Sequence, residues 1–587
     1  MKIKLKRLSI TTSSLLVAVM VVLSCNDKFQ ERAPQGVYSS SSLASAGGVE
    51  GSLVNAYASL RYCCDWYSTP NNWLWGSILG ADAYKGSEQT DQNALNPIVI
   101  YKPNPGDGPV GSKWRISYDG VGQANAVLRA LVTAKDIPDA DRTRIASEAR
   151  FIRGLYHFEL KKVFNNVPYV DENVTDFRIS NDQDIWPQIE ADFKFAYDNL
   201  GPTASSVGRA NKWAAGAYLA KAYMFRKKFT DALPLLQQIY SQGTTASGVK
   251  YGLMEKYHDN FRIATKNNKE TVFAIQYTVR DGANGNNGNY ENVLNYPFGG
   301  GPGGCCGFFQ PSQTFVNSFK TGSDGLPLFD TFNASDVTSD EAFASANRTF
   351  VPYQGTLDPR LDWSVGRREI PYLDWGFHPG VAWIRKVDYG GPFSPIKNVY
   401  YKAEESSGAE NGSWGQKFNA NNYNLIRFAD VILWLAEAEA EAGSPARARD
   451  LVNEIRRRAA NPDGFVKGRF SGYNASGEKI MDLTQPAANY VINEYTNAWD
   501  KTFALKAIRF ERKLELGMEG HRFFDLVRWG TASDELTAYI AKESVKRSVM
   551  AGGAFVVGKS EYMPIPDFAI IQSNKDGKPT LAQNPGY

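Results

Sequence analysis

The chain has 587 residues, a formal net charge of +3 and an aromatic content of 13%. This length is enough for one large core or for roughly two to four domain-sized units. The small net charge argues against a nucleic-acid binder, which would carry a basic patch or stripe, and the aromatic content exceeds what packing alone usually needs.

The N-terminus has the order of a secretory signal. Basic residues within 2–7 precede an apolar run at 15–23, and Cys25 follows directly after Ser24. The spacing resembles a bacterial lipobox, so we expect a signal peptide over 1–24 and attachment of acyl chains such as palmitate to Cys25. The alternative is an ordinary signal peptide followed by a chance cysteine.

A lipidated Cys25 would hold the mature chain on a membrane. Each buried CH₂ group contributes about 0.8 kcal/mol, so two or three acyl chains make the anchoring stable. Residues 25–45 are polar and include Pro34 and a run of serines, which predicts a flexible tether. No apolar run after the signal is long enough to span a bilayer, so we expect the lipid to be the only membrane attachment.

Helical periodicity dominates the first part of the mature chain. We predict helices over 48–62, 121–135, 141–164 and 184–199, because apolar residues recur there at helical spacing. Together with later segments, these helices predict a mainly α scaffold over 46–249 and 425–587.

Two segments carry the pattern of a tetratricopeptide repeat, in which small residues let two helices approach closely. In 209–241 the matching positions are Ala220, Tyr223, Phe229 and Ala232. In 427–460 they are Ala436, Gly443 and Ala448. The expected fold is a short solenoid of stacked helix pairs, and the alternative is two unrelated helical hairpins.

A further helix pair is predicted at 503–530. An apolar stripe recurs at helical spacing through Phe503, Ala507, Phe510, Leu514 and Met518. The other faces of the first helix hold Glu511, Arg512, Lys513 and Glu515. Glycines at 517 and 520 mark a break before the second, shorter helix.

The helical period disappears between about 250 and 424. This segment is rich in Gly, Asn, Pro and aromatic residues, and a similar aromatic loop lies earlier at 63–88. A structureless loop of this length would be unusual in a compact domain. We therefore predict a loop-rich, mixed subdomain over 250–424, with 63–88 contributing, and expect the binding residues there.

Both aromatic loops contain a pair of adjacent cysteines, Cys63-Cys64 and Cys305-Cys306. Four cysteines in an exported chain allow three disulfide pairings. A bond within a pair would make a tight turn with an apolar sulfur face, a bond between the pairs would join the two loops, and four free thiols are the remaining alternative. Either disulfide arrangement puts the loops at the functional surface.

The loops also supply the candidate ligand-binding residues. Flat aromatic rings suit the apolar face of a sugar, and carboxylate or guanidinium groups suit its hydroxyls. The aromatic candidates are Trp66, Trp73, Trp75, Tyr84, Tyr290 and Tyr401, with Cys305 and Cys306 beside them. The polar candidates are Asp65, Asp82 and Arg368.

Other chemistries have weak support in the sequence. The four histidines are scattered, so we expect neither a metal site nor a cofactor. Asp358, Asp362 and Asp374 lie near one another and could form the carboxylate pair of a glycoside hydrolase, but such a grouping is weak evidence in a chain with many acidic residues. We expect a protein that is not an enzyme.

Five features together resemble the SusD/RagB family of outer-membrane nutrient-binding lipoproteins from Bacteroidetes. They are the lipobox, FELKKVFNNVPYV (158–170), NLIRFADVILWLAEAEAEAG (424–443), ERKLELGMEGHRFFDLVRWG (511–530) and the tail from MPIP (563–566) to QNPGY (583–587).

The resemblance implies a tetratricopeptide-like frame, a loop-rich ligand face and a place on the outer membrane. It also implies a SusC-like TonB-dependent transporter as partner. It gives an oligosaccharide as the usual ligand and a peptide in some relatives, so a peptide-binding lipoprotein stays an alternative to a glycan-binding one. A glycoside hydrolase is the third hypothesis.

Overall fold

The structure is a computed structural model that describes residues 43–62, 65–302, 304–342, 350–412 and 416–587. The predicted signal peptide, the lipidation site Cys25, nearly all of the predicted tether and the pair Cys63-Cys64 lie outside the described residues.

Helices make up most of the regular structure. Those of eight residues or more in the described ranges are α1 Ala46–Ala58, α2 Gly108–Thr133, α3 Asp139–Phe164, α4 Trp186–Asn199, α5 Lys212–Phe225, α6 Phe229–Gln242, α7 Phe428–Ala442, α8 Pro445–Ala459, α9 Lys501–Leu516, α10 Arg522–Trp529 and α11 Ala532–Glu543. Across the described residues, none of the helices combines the length and the apolar character needed to cross a membrane.

The helices stack in chain order. α1 packs on α2, and from α2 to α6 each helix packs on the next. The stack then continues across a long excursion of the chain, because α6 packs on α7, which contacts α8 and α9. The prediction of a mainly α, tetratricopeptide-like stack of helices is confirmed.

Short antiparallel two-stranded ladders decorate this stack. The paired strands are β1 Ala83–Gly86 with β3 Phe308–Pro311, β2 Thr271–Ile275 with β8 Tyr423–Arg427, β4 Val365–Gly366 with β5 Ser394–Pro395, β6 Ala409–Asn411 with β7 Lys417–Asn419, β9 Lys467–Tyr473 with β10 Lys479–Pro486, and β11 Asn574–Lys575 with β12 Lys578–Pro579.

The ladder of β2 and β8 joins the two ends of the irregular segment. Thr271 pairs with Arg427, and the Phe428 amide donates to the Glu270 carbonyl at 2.7 Å. The irregular segment therefore leaves and rejoins the helical stack at one place. Its treatment as a subdomain of its own stays a prediction.

Helix α3 lies at the centre of the stack, and every residue from Phe151 to Phe164 is buried. Its polar side chains are paired inside the core. Arg153 donates to both carboxylate oxygens of Asp192 at 2.8 and 2.7 Å. His157 accepts a hydrogen bond from the Val170 amide at 3.1 Å, and burial lowers the pKa of its imidazole to about 3. A buried polar group costs little when it is satisfied in this way.

Helix α9 ends in a buried group of charges that we call the arginine–glutamate cluster. Its members are Arg360, Arg427 and Arg458 with Glu270, Glu515 and Glu519, and all are buried. Glu515 accepts hydrogen bonds from Arg360 at 2.9 Å and Arg427 at 2.6 Å, and it also pairs with Arg458. The cluster fastens the irregular segment to β8, α8 and α9.

The charged faces of α9 lie inside the protein. Glu511, Arg512 and Glu515 are buried, because each has a partner of opposite charge inside the protein. Arg512, for example, binds Asp430 at 2.7 Å and Asp525 at 2.9 Å. The amphipathic pattern located the helix but did not reveal that its polar faces also pack inward.

One helix boundary lies far from its predicted position, and two elements were not predicted. Helix α2 begins at Gly108, well before the predicted start at 121, because its first half already buries Val110, Trp114 and Ser117, which recur at helical spacing. The hairpin of β9 and β10 and the helix α11 were not predicted.

Candidate functional site

The aromatic loop after residue 64 is folded into the core rather than displayed on the surface. The side-chain nitrogen of Asn72 donates to the Glu159 carboxylate of α3 at 2.9 Å, and the side-chain oxygen of Asn72 accepts from the Lys113 ammonium of α2 at 2.9 Å. These contacts draw the turn Trp73–Ile78, all of whose residues are buried, against the helices.

This position corrects the assignment of Trp73 and Trp75 as ligand platforms. Each indole is 1% exposed. Each also uses its N–H inside the protein, since Trp73 Nε1 donates to the Trp66 carbonyl at 2.7 Å and Trp75 Nε1 to the Tyr67 carbonyl at 2.6 Å. Both side chains therefore support the loop from inside the core and present no face to a ligand.

Asp82, Tyr84 and Arg368 are likewise buried and do not face a ligand. The Tyr84 hydroxyl donates to Glu543 of α11 at 2.6 Å. Asp82 accepts from the Met518 amide at 3.0 Å, and burial raises the pKa of its carboxyl to about 6. Arg368 donates to Asp340 at 3.2 Å. The sequence showed loop composition around these residues, but the partners of Tyr84 and Asp82 lie 459 and 436 residues away along the chain.

A contact between two glycines fixes the depth of the aromatic loop. A Cβ atom built on Gly76 would lie 1.8 Å from the Gly520 carbonyl oxygen. The two backbones therefore touch, and only glycine fits at position 76.

We expect Gly76→Ala to lower the free energy of unfolding by about 1–3 kcal/mol, because the new methyl group must push two backbones apart. Chemical denaturation measures this change. Gly122→Ala is the matched control: its Cβ meets nothing within 4 Å on an exposed face of α2. That variant should gain stability by about 0.5–1 kcal/mol through helix propensity. Equal effects of the two variants would contradict the contact.

Half-buried aromatic side chains do collect around a second, smaller core in the irregular segment. We call this the satellite core, and its buried members are Val293, Tyr296, Tyr372, Ile396, Val399, Tyr400, Ala409 and Phe418. Tyr290, Trp375 and Trp383 pack against it and stay partly exposed. Trp66 stacks on Tyr290 with ring centroids 4.0 Å apart. We name Trp66, Tyr290, Trp375 and Trp383 the aromatic rim.

Of the predicted residues, Tyr290 thus packs on the satellite core and Trp66 stacks on Tyr290, while Trp375 and Trp383, which sequence reasoning missed, pack on the same core. Trp375 donates from Nε1 to the Tyr400 carbonyl at 3.0 Å. Trp383 lies against the glycine run 299–301, since a Cβ on Gly300 would be 2.6 Å from its Nε1. Both tryptophans stand among Gly, Asp and Pro, which is the same signal that singled out the earlier loop.

The glycine run leads into the adjacent cysteines. Cys305 and Cys306 are joined to each other by a disulfide, so of the arrangements left open the bond within this pair is the one found. Cys305 is half-buried and Cys306 is 7% exposed. Nearby in sequence, Phe298 is 42% exposed, and the Arg385 guanidinium lies 5.1 Å from the centre of its ring.

Polar groups accompany these rings. Arg385 is exposed and binds Asp91 at 2.7 Å and Ser87 at 3.0 Å, so part of its guanidinium group already donates hydrogen bonds within the protein. Asp65 is 9% exposed and accepts from the Tyr67 amide at 3.0 Å. Tyr401 is half-buried beneath the Arg262 guanidinium at 4.4 Å, and burial raises the pKa of its hydroxyl to about 12. All three side chains have structural partners, and Arg385 was not predicted.

The carboxylates considered for glycoside hydrolysis already form ion pairs or hydrogen bonds within the protein. Asp358 forms a buried ion pair with Arg360 at 2.7 Å, and Asp362 forms one with Arg367 at 2.6 Å. Asp374 accepts from the backbone amides of Lys402 and Ala403 at 2.6 and 2.9 Å. Among the described residues, no three His, Cys, Asp or Glu side chains are grouped in a way that could hold a metal ion.

Family models match two parts of the chain. Residues 269–587 match the model described as the SusD family, and residues 69–224 match a model described as starch-binding and associating with the outer membrane. A SusD-like protein of Bacteroides ovatus is 23% identical over 552 residues, covering 90% of this chain and 82% of the relative. SusD-like protein P25 of Formosa agariphila is 23% identical over 558 residues, with 89% and 90% covered.

Solved structures share the fold. A laminarin-binding SusD-like protein is 24% identical and superposes with a TM-score of 0.62, covering 92% of this chain and 100% of its own. Surface glycan-binding protein A of Bacteroides thetaiotaomicron, in complex with laminarihexaose, is 19% identical with a TM-score of 0.60, and 92% and 99% of the two chains are covered.

Proposed function

Since this chain belongs to the SusD family, we propose that it captures oligosaccharides at the cell surface and passes them to a transporter without altering them. The ligand is a glycan bound at the aromatic rim. The transporter is a SusC-like TonB-dependent protein of the outer membrane. Cys25, lipidated after removal of residues 1–24, anchors the protein there through the tether at 25–45.

The aromatic rim is the observation that carries this proposal. Trp66, Tyr290, Trp375 and Trp383 are partly exposed rings held by hydrogen bonds and packing around the satellite core. A sugar ring has an apolar C–H face that stacks on such side chains and a polar edge that leaves the hydroxyls free for hydrogen bonding. Stacking one sugar hides about 100 Å² of apolar area, which is worth roughly 2 kcal/mol.

The expected affinity follows from the number of rings. Two or three stacked sugars, together with hydrogen bonds and less the cost of association, give dissociation constants of about 1 µM to 1 mM. Weak binding suits a protein that must release its ligand to a transporter.

Two further observations support a binding protein. The candidate carboxylates Asp358 and Asp362 are both ion-paired and buried, so neither is placed to protonate a leaving group. Two of the similar solved structures are a laminarin-binding protein and a glycan-binding protein that holds laminarihexaose.

Outer-membrane association is part of the description of the family model matched by residues 69–224, which supports the proposed location.

The test is a ligand screen on the chain produced from residue 26 onward, which contains every described helix and strand, the first of which is α1. Calorimetry with oligosaccharides from laminarin, starch, xylan and mannan forms one arm, and oligopeptides form the other. We expect one class of oligosaccharide to bind in the stated range and to be recovered at unchanged length. Binding of peptides alone, or shortening of the oligosaccharide, would overturn the proposal.

A further inference from the structure

A cavity of about 820 Å³ lies between α9, α10, α11 and the loop around residues 329–333. Its walls are mainly apolar, and they include Phe329, Phe332, Leu505, Phe510, Leu526 and Tyr539. None of the four aromatic-rim residues lines it. The volume falls in the range of about 300–1,000 Å³ that is typical of small-molecule sites.

Lys513 lines this cavity and is 7% exposed. Its ammonium lies 4.6 Å from the centre of the Phe332 ring and 5.9 Å from that of Phe510. In the described part of the chain, no side chain forms an ion pair with this ammonium and no group accepts a hydrogen bond from it. Other buried lysines have such partners: Lys162 binds Glu159 at 2.6 Å, and Lys397 binds Glu519 at 2.7 Å.

Arg509, one turn before Lys513 on α9, adds a second cation at the same wall. Its Nε–H is buried and has no acceptor among the described groups. Its guanidinium carbon lies 5.2 Å from the centre of the Trp529 ring.

The remaining basic residues of the cavity already have acidic partners. Lys506 binds Asp330 at 2.6 Å, Lys501 binds Glu441 at 2.6 Å, and Arg522 pairs with Glu535. Lys513 and Arg509 are therefore the cations of this cavity that are left for an external anion.

The charge on Lys513 is retained near neutral pH. Burial lowers the pKa of its ammonium to about 8, and the neighbouring Arg522 contributes in the same direction. The carboxylates of Glu535 and Asp82 act in the opposite direction without forming an ion pair with it. A buried cation that has no acidic group in direct contact costs free energy, which an anionic ligand would recover. A hydrocarbon body on that ligand would fill the apolar walls, which a free inorganic anion would leave exposed to water.

We propose that this cavity binds a carboxylic acid with a hydrocarbon body. The carboxylate accepts hydrogen bonds from Lys513 Nζ and from Arg509, and the hydrocarbon packs against Phe329, Phe332 and Phe510. The site shares no lining residue with the aromatic rim, so the two ligands do not compete for one surface.

Decanoate and decan-1-ol are the probes, titrated by calorimetry into the chain from residue 26 onward, with decanoate kept below its micellar concentration. The wild type is expected to bind one decanoate. Lys513→Met keeps the length of the side chain but removes its charge, and it should weaken decanoate binding by about 10- to 100-fold, the range of a charge-assisted hydrogen bond. Binding of decan-1-ol should change by less than about threefold, because no charge is involved.

Two further variants separate charge from shape. Lys506→Met removes a cation that is already paired, so decanoate affinity should stay within about threefold of the wild type. Phe332→Ala removes part of the wall and should weaken both probes to a similar degree. A wild type that binds no decanoate, or a folded Lys513→Met variant that binds it as tightly as the wild type, would overturn the proposal. Thermal melting confirms that each variant is folded.

Discussion

Replacing Glu515 with alanine is expected to lower the free energy of unfolding by about 3–5 kcal/mol, because the change removes a counter-ion that three buried arginines share. Glu515 is fully buried and is paired with Arg360, Arg427 and Arg458. Burial alone would raise the pKa of the Glu515 carboxyl, but the three guanidinium groups overcome this and hold the pKa well below its usual range. The attraction of these guanidinium groups shows how strongly the arginine–glutamate cluster depends on the negative charge of Glu515.

Urea denaturation followed by tryptophan fluorescence measures the change. Glu494→Ala is the control, since Glu494 pairs with Arg457 at 2.8 Å but both side chains are exposed, at 41% and 62%. An exposed pair of this kind contributes about 0–1 kcal/mol. If Glu515→Ala cost no more than Glu494→Ala, the arginine–glutamate cluster would not hold the irregular segment to the helices.

Removing rings from the aromatic rim should weaken oligosaccharide binding without unfolding the protein. Each of Trp66→Ala and Trp383→Ala is expected to reduce affinity by about 10- to 50-fold, which corresponds to the loss of roughly 2 kcal/mol of stacking. The double variant should bind at least about 100-fold more weakly, provided that the two rings hold different sugars of one ligand.

The comparison that makes this result specific uses two other aromatic residues. Phe177 is 67% exposed and lies in the loop between α3 and α4, outside the aromatic rim, so Phe177→Ala should leave the affinity unchanged. Trp75 is 1% exposed, so Trp75→Ala should lower the melting temperature as a core truncation does. Full affinity in the double variant of the rim would remove this surface as the binding site.

The sequence predicted the helical stack well because the information is local. The stripe from Phe503 to Met518 and the small residues Ala436 and Ala448 report helices and their close approach by spacing alone. The same spacing could not tell that Glu511 and Glu515 are buried. Whether a charged face meets water depends on Arg360, Arg427 and Arg456, which are distant in the chain.

The candidate site was predicted less well for the same reason. Loop composition marked Trp66, Trp73, Trp75 and Tyr84 alike, although only Trp66 is partly exposed. Tyr84 is buried because its hydroxyl meets Glu543, which is 459 residues away in sequence. No local pattern carries such a contact. The composition around Trp375 matched that of the earlier loop, so it could have been selected by the criterion already applied there.

The ladder of β2 and β8 has a consequence for how well the irregular segment tolerates changes of length. Thr271 and Arg427 are paired across the ladder, so the two ends of the segment between them are held together. A change of sequence or length inside that segment therefore leaves its ends in place. Lengthening such a segment costs only about 0.6 kcal/mol of closure entropy for each doubling. Changes of length and sequence within this segment should therefore leave the helices on either side folded around the same paired ends.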